Sequence, residues 1–96
     1  MLTGKQKRHL RSLGHEMEPI LFVGKEEITG NVVKQADDAL EARELIKGRV
    51  LQNCADHPQN IAGKLAEAVD AELVQVIGRN FLLYRASQEK PRIELP

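Results

Sequence analysis

Short apolar runs alternate with segments of helical periodicity along this chain, and the alternation limits the folds that it can adopt. Apolar side chains recurring every three or four residues predict helices at about residues 4–13, in a segment that follows Thr29, and from Pro58 to near Ala71. Continuous apolar runs predict strands at residues 19–24, 45–51, 73–77 and 81–84. The resulting order, α-β-α-β-α-β-β, indicates an α/β fold with right-handed crossovers and a largely parallel sheet that has one antiparallel edge strand.

Glycine and threonine mark where these elements begin and end. Thr3 and Thr29 are predicted helix N-caps, and Gly14 is the predicted end of the first helix. The run at residues 19–24 has no polar side chain, which favours a strand buried on both faces. Gly48 interrupts the second strand and indicates either a bulge or a close approach of the backbone. Residues 78–80 predict a β-hairpin turn.

Length and charge exclude several classes of protein. The 96 residues, 42% of them apolar, suit a single domain at 1–96 with a polar tail at 87–96. Fourteen basic and fourteen acidic residues cancel, so any anion site must be a local patch. A single cysteine, no signal-peptide pattern and no apolar run of membrane-spanning length lead us to expect a soluble, cytoplasmic protein that is not bound to a membrane.

The first predicted helix carries an uncompensated positive charge. It contains four basic residues and no acid, and its basic side chains centre opposite the apolar pair Leu10 and Leu13. These four residues are Lys5, Lys7, Arg8 and Arg11. Such a ridge suits the phosphates of a nucleic-acid backbone, although an ordinary solvated helix face gives the same pattern. The absence of glutamate at helical spacing favours the functional interpretation.

The segment between the first strand and the second helix is a second candidate. A glycine-bounded loop before a helix N-terminus is a generic anion site, and Gly24 and Lys25 fit that description. Glu26 and Glu27 oppose it, because they put negative charge where a phosphate would lie. Arg79 in the predicted turn and Arg85 add cations beside the last strand. Phe22 and Phe81 are predicted core residues, while Tyr84 is either a core residue or a stacking surface.

No catalytic or metal-binding constellation is predicted. Cys54 and His57 form a lone pair without the second half of a zinc site, and no serine or cysteine has an activating partner at a recognisable spacing. Four acidic residues of the second helix are interpreted as its solvated face, namely Asp37, Asp38, Glu41 and Glu44. We therefore expect neither an enzyme nor a cofactor or metal.

Five blocks of sequence occur together in a recognisable order: TGKQKRHLRSLGH, EPILFVGK, ALEARELIK, LVQVIGRNFLLYR and IELP. Across essentially the whole chain they resemble the CRM domain, and within it the stand-alone bacterial YhbY-like proteins. The resemblance implies a mixed four-stranded sheet packed with helices, similar to the C-terminal domain of bacterial translation initiation factor three. It also implies binding to RNA, and association with precursors of the large ribosomal subunit.

In that family a GxxG loop follows the first strand and is compared with the loop by which KH domains clamp a nucleic-acid backbone. Here it falls on residues 24–27, and Glu27 stands where the second glycine is expected. The resemblance and the charges together predict an RNA-binding assembly factor that contacts rRNA, is a monomer and does not bind DNA. Its predicted contacts are Lys5, Lys7, Arg8, Arg11, Gly24, Lys25, Lys47, Arg79 and Arg85. The alternative is a module that docks on a ribosomal protein or assembly factor, with secondary affinity for RNA.

Overall fold

A computed structural model describes residues 2–96 of the chain. Its elements are α1 (Gly4–Gly14), β1 (Leu21–Val23), α2 (Gly30–Arg43), β2 (Leu45–Val50), α3 (Pro58–Ala68), β3 (Glu72–Ile77) and β4 (Asn80–Tyr84). The predicted α/β class, the order of elements and the mixed four-stranded sheet are confirmed. The predicted caps are confirmed too, since Thr3 and Thr29 each accept a backbone hydrogen bond from the first turn of the following helix.

The strand order is β1-β2-β4-β3. Only β1 and β2 pair in parallel, whereas β4 pairs antiparallel with β2 on one side and with β3 on the other. The prediction of a largely parallel sheet with an antiparallel edge strand is therefore wrong. The antiparallel strand β4 lies inside the sheet, because it is β4, and not β3, that pairs with β2. Four consecutive buried residues, 81–84, reflect this central position.

Helices cover both faces of the sheet. One face packs against α2 and α3 around buried residues that include Ile46, Leu65 and Phe81. The other face packs against α1 and the C-terminal tail, around a smaller cluster of five residues. That cluster consists of Leu10, Leu45, Val74, Leu82 and Tyr84. Burial thus confirms Phe81 as a core residue, and it places Tyr84 in the core as well.

Strand β1 is an edge strand with one buried face. Leu21 and Val23 are buried, but Phe22 is 51% exposed. The predictions that this strand is buried on both faces and that Phe22 lies in the core are therefore wrong. The reason is that α2 covers one face of β1, while α1 packs against β2, β3 and β4 on the other face.

Two glycines allow a neighbouring side chain to lie directly against the backbone. Gly14 faces Leu82, and a Cβ built at position 14 would lie 2.7 Å from Leu82 Cδ2. The buried side of α1 therefore consists of Leu10 and Gly14, and the expectation that Leu13 belongs to it is wrong, since Leu13 is 43% exposed. Gly48 lies under the ring of Phe81, so the close approach and not the bulge explains this glycine. The irregularity in pairing occurs instead in β3.

The C-terminal tail is bonded to the end of α2. Glu44 is fully buried, and its carboxylate accepts hydrogen bonds from the backbone N–H groups of Ser87, Arg92 and Ile93 at 2.6–2.8 Å. Glu41 accepts from the Ser87 hydroxyl at 2.6 Å. The interpretation of Glu44 as part of a solvated face is therefore wrong, because this carboxylate supplies the acceptors that the tail backbone needs.

Candidate nucleic-acid interface

The first turn of α1 is held by a reciprocal pair of hydrogen bonds. Thr3 Oγ1 accepts from the Gln6 backbone N–H at 3.1 Å, and Gln6 Oε1 accepts from the Thr3 backbone N–H at 3.0 Å. This capping box satisfies two donors that a helix start otherwise leaves unpaired. Because the cap uses neutral side chains, no carboxylate lies in the first turn of this basic helix.

The four basic side chains of α1 occupy two positions relative to the sheet. Lys5 and Arg8 are exposed, whereas Lys7 and Arg11 are half-buried. Lys7 precedes Leu10 by three residues and Arg11 precedes Gly14 by three, so both border the buried stripe. The expectation that all four lie opposite the apolar side is corrected accordingly. Within residues 2–96, none of the four side chains forms a hydrogen bond or an ion pair.

Lys47 holds the other end of α1. Its ammonium donates to the carbonyl oxygens of Gly14 at 3.1 Å and Met17 at 3.2 Å. A cation at a helix C-terminus satisfies carbonyls that have no partner in the helix and complements the helix dipole. Lys47 therefore positions α1 on the sheet, and its charge is engaged inside the protein.

The loop after β1 has the backbone of a glycine-bearing turn. The Glu27 N–H donates to the Gly24 carbonyl at 2.9 Å, and Glu27 has a φ of 59°. This left-handed conformation favours glycine, so Glu27 occupies the backbone position that the GxxG pattern reserves for its second glycine. Lys25 is exposed in the same loop and has no partner among residues 2–96.

The negative charge of Glu27 affects the pKa of a lysine in α3. Lys64 of α3 has a raised pKa chiefly because it donates to Asp56, and the negative charge of Glu27 adds to that effect. Asp56 in turn has its pKa lowered to about 2 by hydrogen bonds from Asn60 and the His57 backbone and by Lys64. The Glu27 charge is thus partly compensated by a cation on the side of the sheet that α1 does not occupy.

Arg79 lies at the same end of the sheet as the Gly24 loop. Its Nε donates to the Val50 carbonyl and its Nη2 to the Leu51 carbonyl, both at 2.7 Å. The Leu51 N–H donates to the Val23 carbonyl, which links this turn to the end of β1. The structure therefore brings Gly24, Lys25 and Arg79 to one end of the sheet, where two of the Arg79 guanidinium nitrogens bond the end of β2 to the β3–β4 turn.

Arg85 lies apart from the other predicted residues. Its guanidinium donates to Asp37 Oδ1 at 2.7 Å and to the Val69 carbonyl at 2.8 Å, on the α2 and α3 side of the sheet. The groove there, about 450 Å³, is also lined by Asp38, Glu41 and Asp70. Such an acidic groove repels phosphate, so Arg85 has a structural role in joining α2, α3 and β4.

Sequence reasoning missed one cation. Arg49 is exposed in β2 and has no partner within the described part of the chain. It lies on the same face of the sheet as Leu45 and Lys47, and α1 packs against that face. The alternation of side chains along a strand could have predicted it, because residues two apart, such as Lys47 and Arg49, lie on the same face of the sheet.

The described residues contain no group of three or more His, Cys, Asp or Glu side chains placed to hold a metal ion. Residues 2–96 also contain no helix with the length and apolar character that crossing a membrane requires.

Residues 2–85 match the CRS1/YhbY (CRM) domain family. The chain is 51% identical over 96 residues to a protein of Bacillus subtilis (strain 168) named "Probable RNA-binding protein YqeI", and the alignment covers 100% of both. It is 35% identical over 95 residues to a protein of Haemophilus influenzae named "RNA-binding protein", covering 99% of this chain and 95% of that one. The solution structure of a hypothetical protein from Staphylococcus aureus matches with a TM-score of 0.84 and 56% identity, covering 100% of both chains. The family match includes all seven elements and stops where the C-terminal tail begins.

Proposed function

The chain belongs to the CRS1/YhbY (CRM) domain family, and from that premise we propose that it binds RNA through the surface of α1 and the neighbouring edge of the sheet. The family is a domain class and not a class of enzymes, so the proposal includes no catalytic step. Relatives that cover nearly the whole chain are named RNA-binding proteins, which supports the same class of ligand.

One observation carries the proposal. Lys5, Lys7, Arg8 and Arg11 lie on one helix without a single intramolecular partner among residues 2–96, in a protein whose net charge is zero. Several of the other cations are engaged: Lys47, Arg79 and Arg85 bond to backbone carbonyls, and Lys34 pairs with Asp38. Lys25 and Arg49 are also unpaired in the part of the chain that the structure describes, but they are single residues on separate parts of the fold, whereas α1 carries four such side chains. Unpaired cations on one face attract phosphate, because each contact releases a counterion from the nucleic acid.

We propose further that the RNA is rRNA in precursors of the large ribosomal subunit, and that the protein acts as a monomeric assembly factor in the cytoplasm. This finer target follows from the resemblance to YhbY-like proteins described above. Fractionating a cell lysate on a density gradient tests it. We expect the protein to sediment with free large subunits or their precursors, and a profile confined to the ribosome-free fractions contradicts the assembly role.

Charge reversal tests the RNA surface itself. We expect Lys5→Glu with Arg8→Glu, and separately Lys7→Glu with Arg11→Glu, to weaken RNA binding at least about tenfold. The salt slope, which is the slope of the logarithm of the binding constant against the logarithm of the salt concentration, should become shallower by roughly 0.7 for each lost phosphate contact. Arg43→Glu with Lys90→Glu is the matched control, since both side chains are exposed and lie off α1. Equal affinities for all three double variants, with unchanged melting temperatures, contradict the proposal. Binding to a ribosomal protein that is insensitive to salt favours the alternative docking function.

A further inference from the structure

A row of four side chains crosses the sheet on its α1 face. The backbone register pairs Phe22 with Arg49, Arg49 with Asn80, and Asn80 with Ile77. Because side chains alternate along a strand and the neighbours of these residues enter the opposite core, all four point to the α1 side. Phe22 is 51% exposed and Ile77 63%, and Arg49 is exposed as well, so α1 leaves both ends of this cross-strand row uncovered.

The row contains the exposed aromatic ring of the described chain. Of the three aromatic residues, Phe81 is 1% and Tyr84 7% exposed, while half of the surface of Phe22 faces solvent. A single exposed apolar side chain is common on protein surfaces and requires no explanation by itself. What distinguishes Phe22 is the chemistry of the residues beside it.

An unpaired cation lies next to Phe22. Arg49 is on the adjacent strand, about 4.8 Å away, and its guanidinium is exposed and has no partner within residues 2–96. Asn80 follows on the next strand and is half-buried, and its buried side-chain oxygen has no hydrogen-bond partner within residues 2–96. The row includes no acid. An exposed aromatic ring beside an exposed and unpaired cation, with no acid in the row, matches a nucleotide better than an apolar protein surface.

The C-terminal end of α1 lies beside the row. Gly14 contacts Leu82, and Leu82 is two residues from Asn80 on the same face of β4. At the rise of a strand, the row therefore begins about 7 Å beyond the contact of α1 with the sheet. A ligand in the row would thus be adjacent to the helix that carries the unpaired cations.

The half-buried cations of α1 lie on the flank nearer the row. Gln6 donates from Nε2 to the Pro96 carbonyl, so the tail runs along one flank of the helix. The helical spacing puts Lys7 and Arg11 on the other flank of the buried stripe. Since the tail is bonded to Glu44, at the start of β2, and the row includes Arg49, near the end of β2, the tail and the row lie on opposite sides of α1.

We propose that the cross-strand row is a subsite for single-stranded RNA, in which an unpaired base stacks on Phe22 and Arg49 contacts an adjacent phosphate. The inference rests on the proposed RNA-binding function and adds the form of RNA that is recognised. Stacking on a side chain requires a base that is free of its own helix, so the subsite distinguishes unpaired from duplex RNA. The cations of α1 bind the backbone of either form.

Tryptophan fluorescence tests the contact directly, because the chain contains no tryptophan. In a Phe22→Trp variant the introduced indole is the sole such fluorophore, and stacking of a base quenches it. We expect quenching when a 12-nucleotide single-stranded RNA of mixed sequence is added, and little change with the duplex of that sequence. Anisotropy of the labelled RNA follows overall binding in parallel. Binding without quenching overturns the stacking proposal and leaves the proposed function intact, whereas no binding of any RNA contradicts the proposed function.

A series at position 22 separates stacking from apolar contact. We expect Phe22→Leu to weaken binding of the single strand by about 5- to 100-fold, while Phe22→Tyr stays close to the unmodified protein. The loss should leave the salt slope and the duplex affinity unchanged. Arg49→Ala should lower the affinity together with its dependence on salt concentration. Unchanged binding in Phe22→Leu, or an equal loss for single strand and duplex, overturns the proposal and identifies the row as an ordinary apolar surface or a site for protein.

Discussion

The ring of Phe81 occupies the space that a side chain at position 48 would need. Gly48 and Phe81 are directly paired in the β2–β4 ladder, and a Cβ built on Gly48 would overlap the ring edge. The absent side chain allows a large aromatic residue to lie across the centre of the sheet and to fill the core under α2 and α3. The glycine is therefore part of the core packing.

We expect Gly48→Ala to lower the free energy of unfolding by roughly 1–3 kcal/mol, because the added methyl group overpacks a close-packed core. Gly63→Ala is the matched control, since a Cβ at that helical position meets nothing within 4 Å. That control should be neutral or stabilising by up to about 1 kcal/mol. Urea denaturation of both variants measures the difference, and equal stabilities would show that the ring of Phe81 moves aside without cost.

The buried carboxylate of Glu44 organises the tail, and Glu44→Gln tests how strongly. The amide replaces one acceptor oxygen by a donor that faces a backbone N–H, so we expect a loss of roughly 1–3 kcal/mol and faster proteolysis after residue 86. Glu67→Gln, at an exposed position of α3, is the control and should change neither quantity. A tail that remains resistant to protease in Glu44→Gln would contradict this role.

The same carboxylates make stability depend on pH. Burial alone would raise the pKa of Glu44, but the hydrogen bonds from Ser87, Ile93 and Arg92 outweigh it and the pKa is lowered. The pKa of Glu41 is lowered as well, chiefly by the Ser87 hydroxyl. A folded-state pKa below the unfolded value stabilises the fold above about pH 4.3, and that contribution is lost as the pH falls through the folded value. We expect unfolding free energies measured from pH 6 to pH 2 to fall more steeply for the unmodified protein than for Glu44→Gln.

At position 27, conformation and charge can be separated by two substitutions. Glu27→Gly removes the cost of a left-handed φ, about 1 kcal/mol, and this offsets the added flexibility of the unfolded chain, so we expect stability to be unchanged or higher. Glu27→Gln keeps the strain and removes only the charge. If the loop contacts RNA, both variants bind more tightly, by roughly 0.5–2 kcal/mol. Unchanged affinity in both would mean that the contacts lie on α1 and the sheet.

The helices of this fold are readable from sequence because their signals are local. Thr3, Thr29 and Pro58 act on backbone groups within one turn, so their residue types alone predict where the helices begin. The four cations of α1 were found for the same reason, since their spacing is a property of one helix.

The exposure of Phe22 could not be predicted from the sequence, because it depends on which strand lies at the edge of the sheet. An apolar run of this length is equally consistent with a central strand. The burial of Glu44 was not predicted for a related reason, since its hydrogen-bond partners in the tail are more than forty residues away along the chain. Likewise, the partners of Lys47, Arg79 and Arg85 come from distant elements, so their cationic character alone did not reveal their structural roles.

The outer side of β1 also bears on how copies of this protein behave at high concentration. An unpaired strand with exposed apolar side chains invites another chain to add a strand beside it, which is a route to aggregation. Here the strand is only three residues long, and Pro19, just before it, has no N–H to donate. The segment can thus display an aromatic ring to solvent while offering an intruding strand too few backbone hydrogen bonds to hold it.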